Sequence, residues 1–220
     1  MNTSKNRDFE IFPAAEFDEK EAVDAKDYWS SINFASYEKP QVWSAFMADR
    51  VTAFKPRSVF EFGCNSGKNM NGINSIDESI FVSGIDINRK AVEYGRNLGR
   101  RVAFGDERNL SVFPDRCFDV SFTVSVIDHL SFPEAAFNDL LRISHKAVLL
   151  LEPWLGHEGR VTRNIDIRTK EMIDTTPYSY SWDYERLHRE FAPDWQFLRE
   201  EYKLKSNLGR FYELFIFIRK

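Results

Sequence analysis

The chain has 220 residues, of which 43% are hydrophobic and 29% charged, and its formal net charge is −4. That size and balance describe one globular domain with a large core, at most with an added lobe. The negative balance disfavours a polyphosphate partner, and no apolar run approaches the ~18–20 residues of a membrane span.

The two cysteines, Cys64 and Cys117, match no metal spacing and suit a reduced, cytoplasmic protein. Residues 1–20 are polar, acidic and aperiodic and read as a frayed tail. From Glu21 to Phe54 the pattern is helical, broken at Glu38-Lys39-Pro40. Pro40 opens a second helix with Val42, Trp43, Phe46, Met47, Val51 and Phe54 at helical spacing. The aromatic content of 15% is high for a plain core, and Tyr28, Trp29, Phe34 and Tyr37 lie ahead of the main pattern. Residues 1–54 are therefore expected to form a tail and helical lid, and 55–220 the main domain, in one compact body.

Strands and helices then alternate. Val59–Phe62 is a short apolar run with one acid, and it enters the turn Gly63-Cys64-Asn65-Ser66-Gly67 before a helix. Ile80–Ile85 ends in Asp86. Asn88 can cap a helix over Arg89–Leu98, which Gly99 closes. Arg101–Phe104 runs into Gly105-Asp106-Glu107, and Phe118–Val126 is a Val- and Phe-rich strand. Ser131-Phe-Pro-Glu134 has the spacing of a capping box for a helix to Ile143. Ala147–Glu152 is an apolar strand stopped by Pro153. Residues 154–180 form a long connection, expected to carry function or hide short elements. A helix over Trp182–Phe191 precedes two closing strands, Phe197–Lys203 and Phe211–Ile218. The layout predicts an α/β fold: a Rossmann-like, mostly parallel sheet with helices on both faces.

In such a sheet the carboxyl ends of the strands share one edge, so Glu61, Asp86 and Asp106 converge on one crevice. A carboxylate ending the second strand suits a ribose diol, and one after the third suits an exocyclic amine. Gly63 and Gly67 allow the backbone to turn and approach a ligand.

These residues resemble the class I S-adenosylmethionine-dependent methyltransferases, in their small-molecule, ubiquinone-biosynthesis-like branch. The likeness covers about residues 58–152, through Glu61–Gly67, Gly84-Ile-Asp86, Gly105-Asp106 and Cys117–Leu130. It implies seven strands, the last antiparallel, and S-adenosyl-L-methionine as cofactor. It implies that Glu61, Gly63, Cys64, Asn65 and Gly67 hold the methionine part. Asp86, with Ile87 beside it, would take the ribose hydroxyls, and Asp106 or Glu107 would face the adenine. Val124 and Ser125 would border the reaction site. The loop departs from many members in carrying Cys64-Asn-Ser in place of further glycines. The Asn-Pro-Pro-Tyr type motif of many amino-methyltransferases is absent, which argues against base amines and glutamine amides as acceptors. A small polar acceptor is expected, methylated at oxygen, in a sugar or secondary metabolite.

A hydroxyl acceptor needs a base, and His129, just past the fourth strand, is the first candidate, with a helix-start histidine as the plain alternative. Glu152 and His157 are second choices. A nicotinamide-dependent oxidoreductase is a rival, because Asp86 lies roughly 20 residues past a glycine turn. Gly63-x-x-x-Gly67, however, lacks the dinucleotide spacing. A non-catalytic cofactor-binding protein is a further alternative.

Overall fold

The computed structural model describes residues 10–12, 26–31, 41–162, 179–202 and 212–220. Most of the expected tail, Phe34 and Tyr37 of the expected lid, and residues 163–178 of the long connection lie outside them.

The described elements run as β1 (Glu10–Phe12), α1 (26–31), α2 (Val42–Thr52), β2 (Ser58–Phe62), α3 (Lys68–Ile76), β3 (Phe81–Asp86), α4 (Arg89–Asn97) and β4 (Val102–Phe104). A 3-10 turn (Glu107–Val112), β5 (Phe118–Val124), a second 3-10 turn (Ile127–His129), α5 (Glu134–Ile143) and β6 (Ser144–Pro153) follow. The chain closes with β7 (Gly159–Thr162), β8 (Ser179–Ser181), α6 (Tyr184–Phe191), β9 (Gln196–Glu201) and β10 (Tyr212–Ile218).

Seven strands pair in the order β4-β3-β2-β5-β6-β10-β9. The pairs from β4 to β6 are parallel. β10 is antiparallel to both β6 and β9, so it alone runs against the rest. Alternation splits the core into two layers. Val59, Val82, Val120, Leu149 and Leu214 pack under α2, α3 and α4. Phe60, Phe62, Ile85, Val148, Leu150 and Phe217 pack under α5 and α6. Central strands buried on both faces read as continuous apolar runs for this reason.

Two expectations are corrected. Residues 10–12 pair with β7, which also pairs with β8, so part of the expected tail belongs to a small antiparallel sheet. Ser131 does not cap α5. The helix starts at Glu134 after Pro133 with no side-chain cap, and the Ser131 hydroxyl lies 3.2 Å from the Tyr180 hydroxyl instead. Asn88 does cap α4, accepting a bond from the Ala91 amide.

Candidate active site

The parallel strands β2 to β5 end at one edge, and the turn after β2 begins there. Gly63 and Gly67 have φ of 74° and 86°. A Cβ on Gly63 would stand 2.3 Å from a Val126 methyl, so this turn fits against the loop after β5 only as glycine. The Gly63 and Cys64 amides bond the Ile85 carbonyl, which ties the turn to β3.

Glu61 is 1% exposed. One carboxylate oxygen accepts from the Asn69 side-chain amide at 2.7 Å, and Asn69 in turn accepts from the Ser44 hydroxyl at 2.6 Å. The other oxygen, Oε2, is buried without a hydrogen-bond partner. Burial pushes the carboxyl up to about 8, against the opposing pull of the Asn69 bond and of the Lys68 charge.

Asp86 pins the surrounding backbone. Its two oxygens accept from the Asn65 and Asn88 amides, each at 2.7 Å, linking the glycine turn to the start of α4. Burial raises its pKa, and those two amides oppose the rise. Each oxygen keeps a further lone pair for a ligand hydroxyl. Asp106 caps the 3-10 turn after β4 and forms an ion pair with Arg108, which holds its carboxyl below the usual range. Lys26 of α1 lies 3.7 Å from Asp106 and bonds Glu107. Ile87 follows Asp86 directly and is half-buried.

Val124 packs against the first core layer, and Ser125 takes a left-handed φ of 54°. The Ser125 hydroxyl lies 2.6 Å from the Tyr212 hydroxyl and 3.3 Å from Asp128. Glu152 lies beneath this loop and has no exposed surface. It accepts from the Thr123 hydroxyl at 2.6 Å and from the amides of Val126, Ile127 and Asp128 at 3.1–3.3 Å. Burial next to Asp128 raises its pKa. Glu152 is therefore an anchor for the loop, which corrects its reading as a second-choice base. Cys64 is 1% exposed and burial drives its thiol pKa well up, leaving it a poor nucleophile. His157 is exposed, and its carbonyl accepts from Ser181.

His129 sits on the second 3-10 turn. Its Nε2 lies 3.5 Å from an Asp128 oxygen and its Nδ1 3.5 Å from the Ser179 hydroxyl. The Trp29 ring of α1 packs on it with centroids 4.3 Å apart, and the Trp29 carbonyl accepts from Asn88. Asp128 and Tyr212 are neighbours whose roles the sequence pattern did not reveal, whereas Trp29 belongs to the expected aromatic lid segment. Asp128 adjoins His129 in the chain, whereas Tyr212 reaches the site only through the pairing of β10 with β6.

Among the described residues no cluster of His, Cys, Asp or Glu could hold a metal ion, and no helix is long and apolar enough to cross a membrane. S-adenosylmethionine, the cofactor of the family that this layout resembles, passes a test of fit. The unfilled, buried Oε2 of Glu61 suits its ammonium.

No curated protein matches the sequence. Residues 60–151 match the family model described as a methyltransferase domain. The fold resembles a 1,6-didemethyltoxoflavin N1-methyltransferase from Burkholderia thailandensis, solved with its acceptor and S-adenosylhomocysteine. The TM-score is 0.69 at 12% identity, over 100% of this chain and 98% of that one. It also resembles an amino pentose methyltransferase from Micromonospora echinaspora, solved with S-adenosylmethionine. There the TM-score is 0.59 at 17% identity, over 93% and 98% of the two chains. Glycine turn, strand-end acids and strand order agree with the methyltransferase-domain match over residues 60–151, and the fold is that of the class I, S-adenosylmethionine-dependent methyltransferases.

Proposed function

We propose that the protein transfers a methyl group from S-adenosylmethionine to a hydroxyl of a small polar acceptor, a sugar or secondary metabolite, in the cytoplasm. The observation that carries this reading is a buried carboxylate with an unfilled oxygen, Glu61, on the same edge as Asp86 and the His129 loop. When bound, the cofactor supplies a methyl group already activated on a sulfonium, so the protein's work is alignment and exclusion of water.

Glu61 receives the ammonium through Oε2. Asp86 accepts from the ribose hydroxyls while keeping its two amide bonds, and Asp106 or Glu107 faces the adenine. Gly63, Cys64, Asn65 and Gly67 border the methionine part, with Ile87, Val124 and Ser125 around it. α1 acts as a lid, because Lys26 reaches the acids after β4 while Trp29 covers His129. His129 takes the acceptor proton, and the Asp128 carboxylate 3.5 Å from Nε2 meets the positive charge left on the ring. A base in this position contributes about 10²–10⁴ in rate.

A small acceptor rather than a nucleic acid agrees with the net charge of −4. In the N-methyltransferase and amino pentose methyltransferase above, the acceptors named are likewise small molecules. The test is a screen of metabolite fractions with methyl-labelled cofactor, followed by assay of His129→Ala and His129→Gln. Loss of turnover in both variants with unchanged S-adenosylhomocysteine binding supports the base. Wild-type turnover in both, across mildly acidic to mildly basic pH, removes His129 from the chemistry. A labelled macromolecule overturns the small-acceptor reading.

A further inference from the structure

The opposite, amino edge of the sheet holds a second candidate site. A cavity of ≈ 580 Å³ opens there between the starts of β5 and β6, the end of α6 and the end of β10. It adjoins a depression of ≈ 560 Å³ through shared Arg116 and His145. Those volumes lie within the range of small-molecule pockets. The composition of the lining follows from topology. β10 runs against its neighbours, so its carboxyl end arrives where β6 begins, with the Arg219 amide bonded to the Lys146 carbonyl at 2.8 Å. Arg219 is thereby brought to the same cavity as Arg116, His145 and Lys146.

The carboxylates nearby are unevenly shared. Asp119 lies 3.5 Å from Lys146 and 3.6 Å from His145, and Asp115 and Asp139 both pair with Arg142. Asp194 lines the cavity but joins no ion pair among the described residues. Neither Arg116 nor Arg219 has a carboxylate within ion-pair distance among the described residues. Arg219 lies over the Trp195 ring, 4.3 Å from its centroid. Its Nη2 donates to the Leu141 and Ser144 carbonyls, while its Nε is buried without an acceptor. Burial, and then the Arg116 charge, push its pKa down, while the Asp115 charge opposes them. Arg116 is exposed on the lining of the same cavity, so its guanidinium fork is open to the oxygens of a phosphate or carboxylate, with Arg219 adding a second positive charge to the lining.

We propose that this amino-edge cavity binds the oxyanion group of a small metabolite, a phosphate or carboxylate, between Arg116 and Arg219, separately from the methyl-transfer site. The test is calorimetric titration of the full chain with inorganic phosphate, pyrophosphate and citrate at constant ionic strength. These probes distinguish phosphate from carboxylate as the group read. Saturable binding of at least one probe is expected, weakened at least tenfold in Arg116→Glu and also in Arg219→Lys. S-adenosylhomocysteine binding, measured as a control for folding, is expected to remain unchanged in Arg116→Glu. Absence of saturable heat for all three probes overturns the proposal. So does probe binding that survives in a folded Arg116→Glu protein, or that disappears when S-adenosylhomocysteine is present.

Discussion

With Glu61 assigned to the cofactor's ammonium as proposed, its unfilled oxygen makes cofactor affinity depend on pH with a defined sign. In the ligand-free protein burial holds this carboxyl up to about 8, so near neutral pH it is mostly protonated. Binding an ammonium beside it requires the ionised form, and each pH unit below that pKa costs about 1.4 kcal/mol, or tenfold in affinity. S-adenosylhomocysteine should therefore bind about tenfold more tightly per unit from about pH 6 towards 8, with close to one proton released per ligand at the acidic end. Calorimetry in pairs of buffers with different ionisation enthalpies measures both quantities. Glu61→Gln should abolish the pH dependence and weaken binding at the alkaline end by ~1.5–3 kcal/mol, through loss of a charge-assisted bond. Asp86 is also raised by burial, and the Glu61→Gln protein separates the two contributions. The same shift acts on stability in the ligand-free state. A carboxyl whose folded pKa lies above its unfolded value stabilises the fold below about 4.5, and that contribution is lost as pH rises to about 8. Affinity that stays flat with pH, with no proton release, refutes the assignment of Glu61 to the ammonium.

Asp86→Ala should weaken S-adenosylhomocysteine binding by ~1.5–3 kcal/mol, since the proposed ribose contacts would be lost and the Asn65 and Asn88 amides are released. Unchanged calorimetric affinity in a folded variant contradicts this. If α1 is a lid, hydrogen exchange over residues 26–31 should slow when S-adenosylhomocysteine is added, and Trp29→Ala should reduce that protection. Protection confined to the strand ends counts against a lid. Glu152→Ala should cost about 3 kcal/mol or more in urea unfolding, because three backbone amides and the Thr123 hydroxyl lose their buried acceptor. A loss under about 1 kcal/mol would mean that the loop finds other partners.

The central sheet was legible because its strands are buried on both faces and are separated by helices with cap signals such as Asn88. The three strand-end acids were legible for the same reason: once the strands are parallel, their ends must share an edge. What escaped depends on contacts distant in sequence. Residues 10–12 are polar in context, and only β7, some 150 residues later, makes them a strand. Ser131 has the spacing of a helix cap, but Tyr180 supplies a tertiary partner and Pro133 fixes the start of α5. The identity of Glu152 as an acid at the end of a strand suggested chemistry, whereas its complete burial and saturation by backbone donors give it a supporting role. Nothing in the local pattern of Glu152 distinguishes those outcomes. The Thr123 hydroxyl and the 126–128 amides do so only once β5 and β6 are paired.

The reversed strand β10 has consequences at both edges of the sheet. At one end Tyr212 pairs with Pro153 and places its hydroxyl 2.6 Å from Ser125, beside the Asp128 and His129 turn. At the other end Ile218 pairs with Ala147 and carries Arg219 to Arg116 and the amino-edge cavity. A parallel strand in this position would exchange those ends, leaving Ser125 without its hydroxyl partner and the cavity without its second guanidinium. Because Leu214, Phe215 and Phe217 are almost fully buried between the two core layers, the strand transmits position rather than flexing. Occupancy of the cavity by an oxyanion is therefore expected to leave the geometry at Ser125 unchanged. Equal S-adenosylhomocysteine affinity with and without saturating pyrophosphate is the corresponding measurement, and a change greater than about threefold, or ~0.7 kcal/mol, would show that β10 couples the two edges.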